Sequence, residues 1–152
     1  MGGGKGGVKI EIMEKFKFLE DIATADVAFE AYGKNLAELF ENAGLALFEA
    51  MVETKRVRPV SSLQLAIANT SVENLLFAFL SELIFLKDSR GMVFGRFRVK
   101  ITGKYNLEGE VFGEGIDPGR HRLKVDVKAV TLHRFKIEKT KEGYKAKVVL
   151  DI

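Results

Sequence analysis

The sequence contains no cysteine. Disulfides, thiolate metal sites and cysteine nucleophiles are excluded together, and the absence agrees with a cytoplasmic location. Tryptophan is absent as well, while phenylalanine occurs 12 times, so the core is expected to rest on Phe, Leu and Val. Proline occurs only at Pro59 and Pro118, both at element boundaries, and no linker or internal repeat divides the chain. No apolar run follows the charged start as a secretory signal would require. None reaches the roughly 20 residues of a membrane span; the nearest, Leu75 to Leu86, is interrupted by Ser81 and Glu82. There is no long Lys/Arg block either. A net charge of +3 and a pI of about 9.1 permit an RNA-associated role without arguing for one.

At 152 residues, 47% apolar and 30% charged, the chain reads as one globular domain large enough to bury a core unaided. Residues 1–7 are almost all Gly and are expected to form a disordered leader, with the domain spanning 8–152. The run Gly-Gly-Gly-Lys-Gly-Gly-Val-Lys fails as a phosphate loop. No strand precedes it, and Ile10 stands where a hydroxyl should follow Lys9.

A first strand is expected within Val8 to Leu19. Asp26 to Tyr32 alternates, with Val27, Phe29 and Ala31 on one face. Gly33 breaks it, and Asn35 is placed to cap a helix with Glu38 at the capping-box position. Leu36, Leu39, Phe40, Ala43, Leu47, Ala50 and Met51 make that helix's apolar stripe. Leu63, Leu65 and Ile67 suggest a strand. Ser71 caps a second helix, apolar almost all round and therefore central. From Val93 the pattern is β: a strand to Ile101, a turn at Thr102-Gly103-Lys104, and a strand through Val111. A Pro118-Gly119 turn leads to one long strand from Leu123 to Ile137, and Lys141-Glu142-Gly143 joins it to a last strand. This order predicts an α+β fold: a mostly antiparallel β-sheet with two helices packed on one face.

Hydrolytic triads find no support. His121, after the Pro-Gly turn, is expected to be exposed. His133, on the apolar parity of its strand, is expected to be a hydrogen-bonded core residue. The acids carry more information. Asp26 lies on the parity opposite Val27 and Phe29, and Asp126 and Lys128 lie opposite Val125 and Val127. If Lys139 and Tyr144 flank the last turn, simple pairing puts Asp151 opposite Leu132, on one face with Val130, Lys128 and Asp126. Several carboxylates and an amine on one face would suit Ca²⁺, Mg²⁺ or Mn²⁺ rather than zinc. Spacing alone favours the plainer alternative, a solvated outer face. Chain ends usually fray into polar tails, which makes an ending in Leu150-Asp151-Ile152 notable; if Ile152 contributes its carboxylate or holds Asp151 in place, that end is expected to be fixed and inward-facing.

Several segments in order resemble the archease family. Phe18-Leu19-Glu20 followed by Thr24-Ala25-Asp26 is similar to its N-terminal signature. Ala31-Tyr32-Gly33, Leu39-Phe40-Glu41-Asn42-Ala43 and Leu47-Phe48 continue the likeness. Val127-Lys128-Ala129-Val130-Thr131 with His133 resembles its second signature, and Val149-Leu150-Asp151-Ile152 its ending. Two positions depart: Ala23 stands where many members have His, and Leu132 where Tyr is common. The resemblance implies a cytoplasmic accessory protein of tRNA splicing. Such a protein activates an RtcB-type RNA ligase by promoting its guanylylation and multiple turnover, and meets tRNA only through the ligase. It implies a divalent-metal site at Asp26, Asp151 and Ile152, with Lys128 and Asp126 serving ligase activation and no catalytic residue of the chain's own. Two rival readings remain. A general RNA-binding module would use the Arg96, Arg98 and Lys100 strand, where only Phe94 shares the basic face. A metal-dependent phosphate-transfer enzyme would need a base or nucleophile that no motif supplies.

Overall fold

The computed structural model describes residues 14–20 and 26–152. The Gly-rich leader, the start of the first expected strand and the Thr24-Ala25 of the signature lie outside them. The chain runs β1 (Phe16–Leu19), β2 (Asp26–Gly33), α1 (Leu36–Met51), β3 (Ser61–Ala68), α2 (Val72–Arg90), β4 (Met92–Thr102), β5 (Asn106–Gly115), the single turn α3 (Pro118–His121), β6 (Ala129–Lys139) and β7 (Tyr144–Asp151). This is the expected α+β class. Every strand pair is antiparallel, and the strands are divided between two sheets, ordered β1-β2-β7-β6 and β3-β5-β4.

Both long helices begin where their caps predict. The Asn35 side chain accepts the Glu38 N–H at 2.9 Å, and Glu38 reaches back to the Lys34 N–H at 2.7 Å. Ser71 accepts the Asn74 N–H at 3.0 Å. These contacts satisfy amide groups that have no partner inside the helix. α2 ends at Gly91, whose φ of 62° is a left-handed conformation that glycine adopts without steric cost.

The helices tie the two sheets together. α1 packs on β2 and on β4, while α2 packs on β6 and on the three-stranded sheet. The phenylalanines make the joints. Phe40 of α1 meets Phe79 of α2 at 5.9 Å between ring centres, and Phe48 meets Phe94 and Phe97 of β4 at 5.4 and 6.0 Å. Phe77 of α2 meets Phe135 of β6 at 5.6 Å. Each buried ring removes apolar surface from water and stabilises the fold by about 1.5–3 kcal/mol.

The expected long strand from Leu123 to Ile137 is not one ladder. Residues 122–128 run outside the sheet and fasten to the end of α1, where the Lys124 N–H donates to the Met51 carbonyl at 2.8 Å. Leu123 and Val125 are exposed, whereas Val127 is buried. Within β6, Thr131 pairs with Val149 but Lys136 pairs with Lys147. Five positions along β6 against two along β7 leave three extra residues, with Arg134 among them at a left-handed φ of 54°. A smaller irregularity at Gly95 lets both Val93 and Phe94 turn inward.

Candidate metal and partner site

The β2–β7 register sets Asp26 directly opposite Asp151, at the end of the four-stranded sheet. Residues in such a cross-strand pair share a face, with Cβ atoms roughly 4.5–5.5 Å apart. The next pair, Val27 and Leu150, turns toward the core. Ala129 of β6 extends the row on the other side of Asp151, and the Lys128 N–H donates to the Asp151 carbonyl at 2.8 Å. Ile152 is half-buried against the hydrophobic core. Asp26, Asp151, Ile152 and the Lys128 backbone therefore meet at one sheet end.

Two like charges placed opposite each other on neighbouring strands are destabilising. A divalent cation between them would remove that repulsion, and carboxylate oxygens are ligands that Ca²⁺, Mg²⁺ and Mn²⁺ accept. Among the described residues, no group of three or more His, Asp or Glu side chains is close enough to hold a metal. Further ligands would have to be main-chain oxygens, such as those of Ile152, water, or groups brought by a partner.

The expected pairing of Asp151 with Leu132 is corrected to Ala129. A shift by an odd number of residues moves every side chain to the other face. Val130 is accordingly buried instead of joining the acids, and Leu132 is 71% exposed. The reason is the three-residue insertion in β6, which carries no glycine to announce it.

Asp126 is occupied elsewhere. Its Oδ1 accepts from the Lys87 ammonium at 2.6 Å, and Lys87 also reaches Asp88 at 3.0 Å and the Val127 carbonyl at 3.2 Å. Burial alone would lower the Lys87 pKa. Hydrogen bonds and charge from Asp126 and Asp88 outweigh that effect, so the ammonium is held above its ordinary range. Sequence reasoning missed Lys87. The available signal was its place on the stripe Leu76, Leu80, Leu83, where a lysine continues an apolar face at helical spacing.

Both histidine expectations are reversed. His121 is fully buried. Its Nδ1 accepts the Asp117 N–H at 2.9 Å, which places the ring proton on Nε2, 2.8 Å from Glu114 Oε2. The Arg120 guanidinium, the Arg58 N–H and His121 together hold the Glu114 carboxyl down at about 2. His133 is exposed on the inserted segment of β6, where the break in alternation carries it off the buried face. Neither ring is a free base beside Asp26 and Asp151.

The basic strand is matched by its neighbour. Arg98 stands opposite Glu110, with 3.7 Å between their charged atoms, and Lys100 stands opposite Glu108. The Arg96 and Arg98 guanidinium groups lie 5.8 and 5.5 Å from the centre of the Phe112 ring. Phe94, expected on the basic face, is buried. Two carboxylates thus face the three cations of the strand, and the Phe112 ring is covered by its own arginines.

Comparison with known proteins agrees with the signatures. The model of the Archease protein family matches residues 16–152. The chain belongs to the archease family. It is 42% identical to the archease of Sulfurisphaera tokodaii over 141 residues, 92% of this chain and 100% of that protein. The solution structure of protein 1598 of Methanobacterium thermoautotrophicum superposes with a TM-score of 0.80 at 38% identity, covering 92% of this chain and 100% of that one. The crystal structure of an archease from Thermotoga maritima, described as a possible chaperone, superposes with a TM-score of 0.62 at 26% identity, covering 86% and 93%. Among the described residues, no helix is long and apolar enough to cross a membrane.

Proposed function

We propose that this archease is a cytoplasmic, metal-binding accessory protein of tRNA splicing. It activates an RtcB-type RNA ligase by promoting guanylylation and multiple turnover, and has no reaction of its own. The observation that supports this most directly is the opposition of Asp26 and Asp151 at a sheet end, with the Lys128 backbone bonded to the same residue. Asp26 and Asp151, with an oxygen of Ile152, would hold Ca²⁺, Mg²⁺ or Mn²⁺. When bound there, the cation supplies charge neutralisation and open coordination positions for ligands from a partner. The chain's own contribution is to keep the carboxylates in register and to offer Lys128, exposed just before β6, to the ligase. RNA is met through the ligase. The description of the Thermotoga protein as a possible chaperone is in keeping with an accessory role.

The rival readings have less support. A general RNA-binding module would need free rings among the cations of the Arg96–Lys100 strand, but the Phe112 ring is taken by Arg96 and Arg98, and carboxylates stand opposite Arg98 and Lys100. A phosphate-transfer enzyme would need a base at the acids. His121 is sequestered in its own network, and His133 lies on the β6 insertion. The test is guanylylation and multiple-turnover ligation by an RtcB-type ligase with and without the protein. Asp26→Ala and Asp151→Ala should each abolish the stimulation while the circular dichroism spectrum stays native. Full stimulation by either variant refutes the assignment.

A further inference from the structure

We propose that Lys87 is a positioning residue for ligase activation, and that Asp126 acts through it and not as a metal ligand. The proposal rests on the reading above that Lys128 serves the ligase.

Residues 122–128 form the stretch that delivers Lys128 to the sheet end, yet they belong to no strand ladder. They are tied at one end by the Lys124 N–H to Met51 and at the other by the Lys128 N–H to Asp151. Between these ties stands Lys87. Its ammonium has three donors, and three acceptors meet it: Asp126 Oδ1, Asp88 Oδ1 and the Val127 carbonyl. Two of the three belong to the delivering segment or its side chain. Lys87 is 5% exposed, whereas its partner Asp126 is an exposed carboxylate. An ion pair with a buried lysine and exposed carboxylates is a poor way to gain stability, since the ammonium is desolvated while water screens its partners, and an apolar residue often serves the buried position as well or better. On the stripe of Leu76, Leu80 and Leu83 a leucine would fit the pattern. What a leucine cannot do is grip the Val127 carbonyl and the Asp126 carboxylate at once. The clamp sets the path of the chain just before Lys128, from a rigid helix.

The test uses the full chain with Lys87→Met, Asp126→Asn and the double variant. Ligase stimulation, Mn²⁺ affinity by calorimetry and amide hydrogen exchange are read on each. Each single variant should lower stimulation about tenfold, as loss of a supporting partner does at other sites. Because both break one clamp, the double variant should fall no more than about twofold further. Mn²⁺ affinity should stay within about twofold of wild type, and exchange should quicken at 124–128 while β2 and β7 remain protected. Lys87→Arg, which can rebuild the ion pair, should recover part of the stimulation. Undiminished stimulation in the folded variants overturns the proposal. So does a loss that tracks weaker Mn²⁺ binding and faster exchange throughout, which is general destabilisation. If Lys87→Met does not fold, the exposed Asp126→Asn carries the same test. Lys128→Ala separates the two levels. If it stimulates fully, the role of Lys128 falls and this proposal falls with it. If it is inactive while Lys87→Met and Asp126→Asn are active, only this proposal fails.

Discussion

Replacing Asp26 by Asn should make the protein more stable in a chelator and less stable in metal. Asp26 and Asp151 are direct cross-strand partners, and like charges in that arrangement cost about 0.2–1 kcal/mol. The amide keeps the shape of the side chain and removes one charge. In EDTA at low salt the variant should gain about 0.5 kcal/mol, the middle of that range. For a chain of this length, ~1 kcal/mol moves the melting temperature by about 2–4 °C, so the gain reads as about 1–2 °C. Divalent metal at about 100 times its dissociation constant should stabilise the wild type by roughly 2.7 kcal/mol. That corresponds to about 5–10 °C on the same scale, and the variant should show little of it. The order of the two melting curves therefore inverts on adding Mn²⁺ to the chelated proteins. Raising salt from ~0.1 M to ~1 M shortens the screening length from about 10 to 3 Å and should shrink the variant's advantage in EDTA. Scanning calorimetry of both proteins in EDTA, in EDTA at high salt and in Mn²⁺ decides the matter. A variant less stable in both states, or one that gains as much from Mn²⁺ as the wild type, refutes the reasoning that the pair is a strained site relieved by a cation.

Two further outcomes test the fold beneath the site. Leu76, fully buried in α2, should cost about 2–5 kcal/mol as Leu76→Ala in urea unfolding, and Leu76→Asp should not fold, because an unpaired charge cannot be accommodated there. Glu114 titrates at about 2 in the folded chain against an ordinary 4.5. Its contribution to stability is therefore complete above 4.5 and is lost as the pH falls from 4.5 toward 2. Glu114→Gln should be less stable than wild type near neutral pH, with the gap in melting temperature closing across that acid window. A gap that stays constant to the acid end would mean that the Arg120–Glu114–His121 network does not couple to folding.

The parts of the structure legible in the sequence are those that depend on near neighbours. Asn35 and Ser71 cap helices because a short polar side chain meets a free amide three residues on. β2 alternates because successive side chains of a strand point to opposite faces. Gly103 and Gly143 turn the chain where a left-handed or otherwise positive φ is needed. Asp26, Asp151, Lys128 and the order of the signatures were likewise visible, as residue types in sequence positions. What these residues do to one another was not. The pairing of Asp26 with Asp151 joins strands separated by almost the whole chain, and only the closed sheet sets its register. The step in β6 shifts Asp151 from Leu132 to Ala129, and it lies between Thr131 and Lys136, where no glycine or proline marks a break. It comes at the cost of a left-handed arginine. Lys87 lies just past the apolar run that ends at Leu86, and only folding brings Asp126 and Val127, nearly forty positions on, around it. His121 read as exposed because the turn before it is polar. Its burial follows from where α3 docks, against Glu114 and beside Arg56 and Arg58. Residue chemistry and local geometry are written in the sequence, whereas register and the partners of buried charges are decided when distant segments pack, because burial requires each charge to find an opposite or an acceptor.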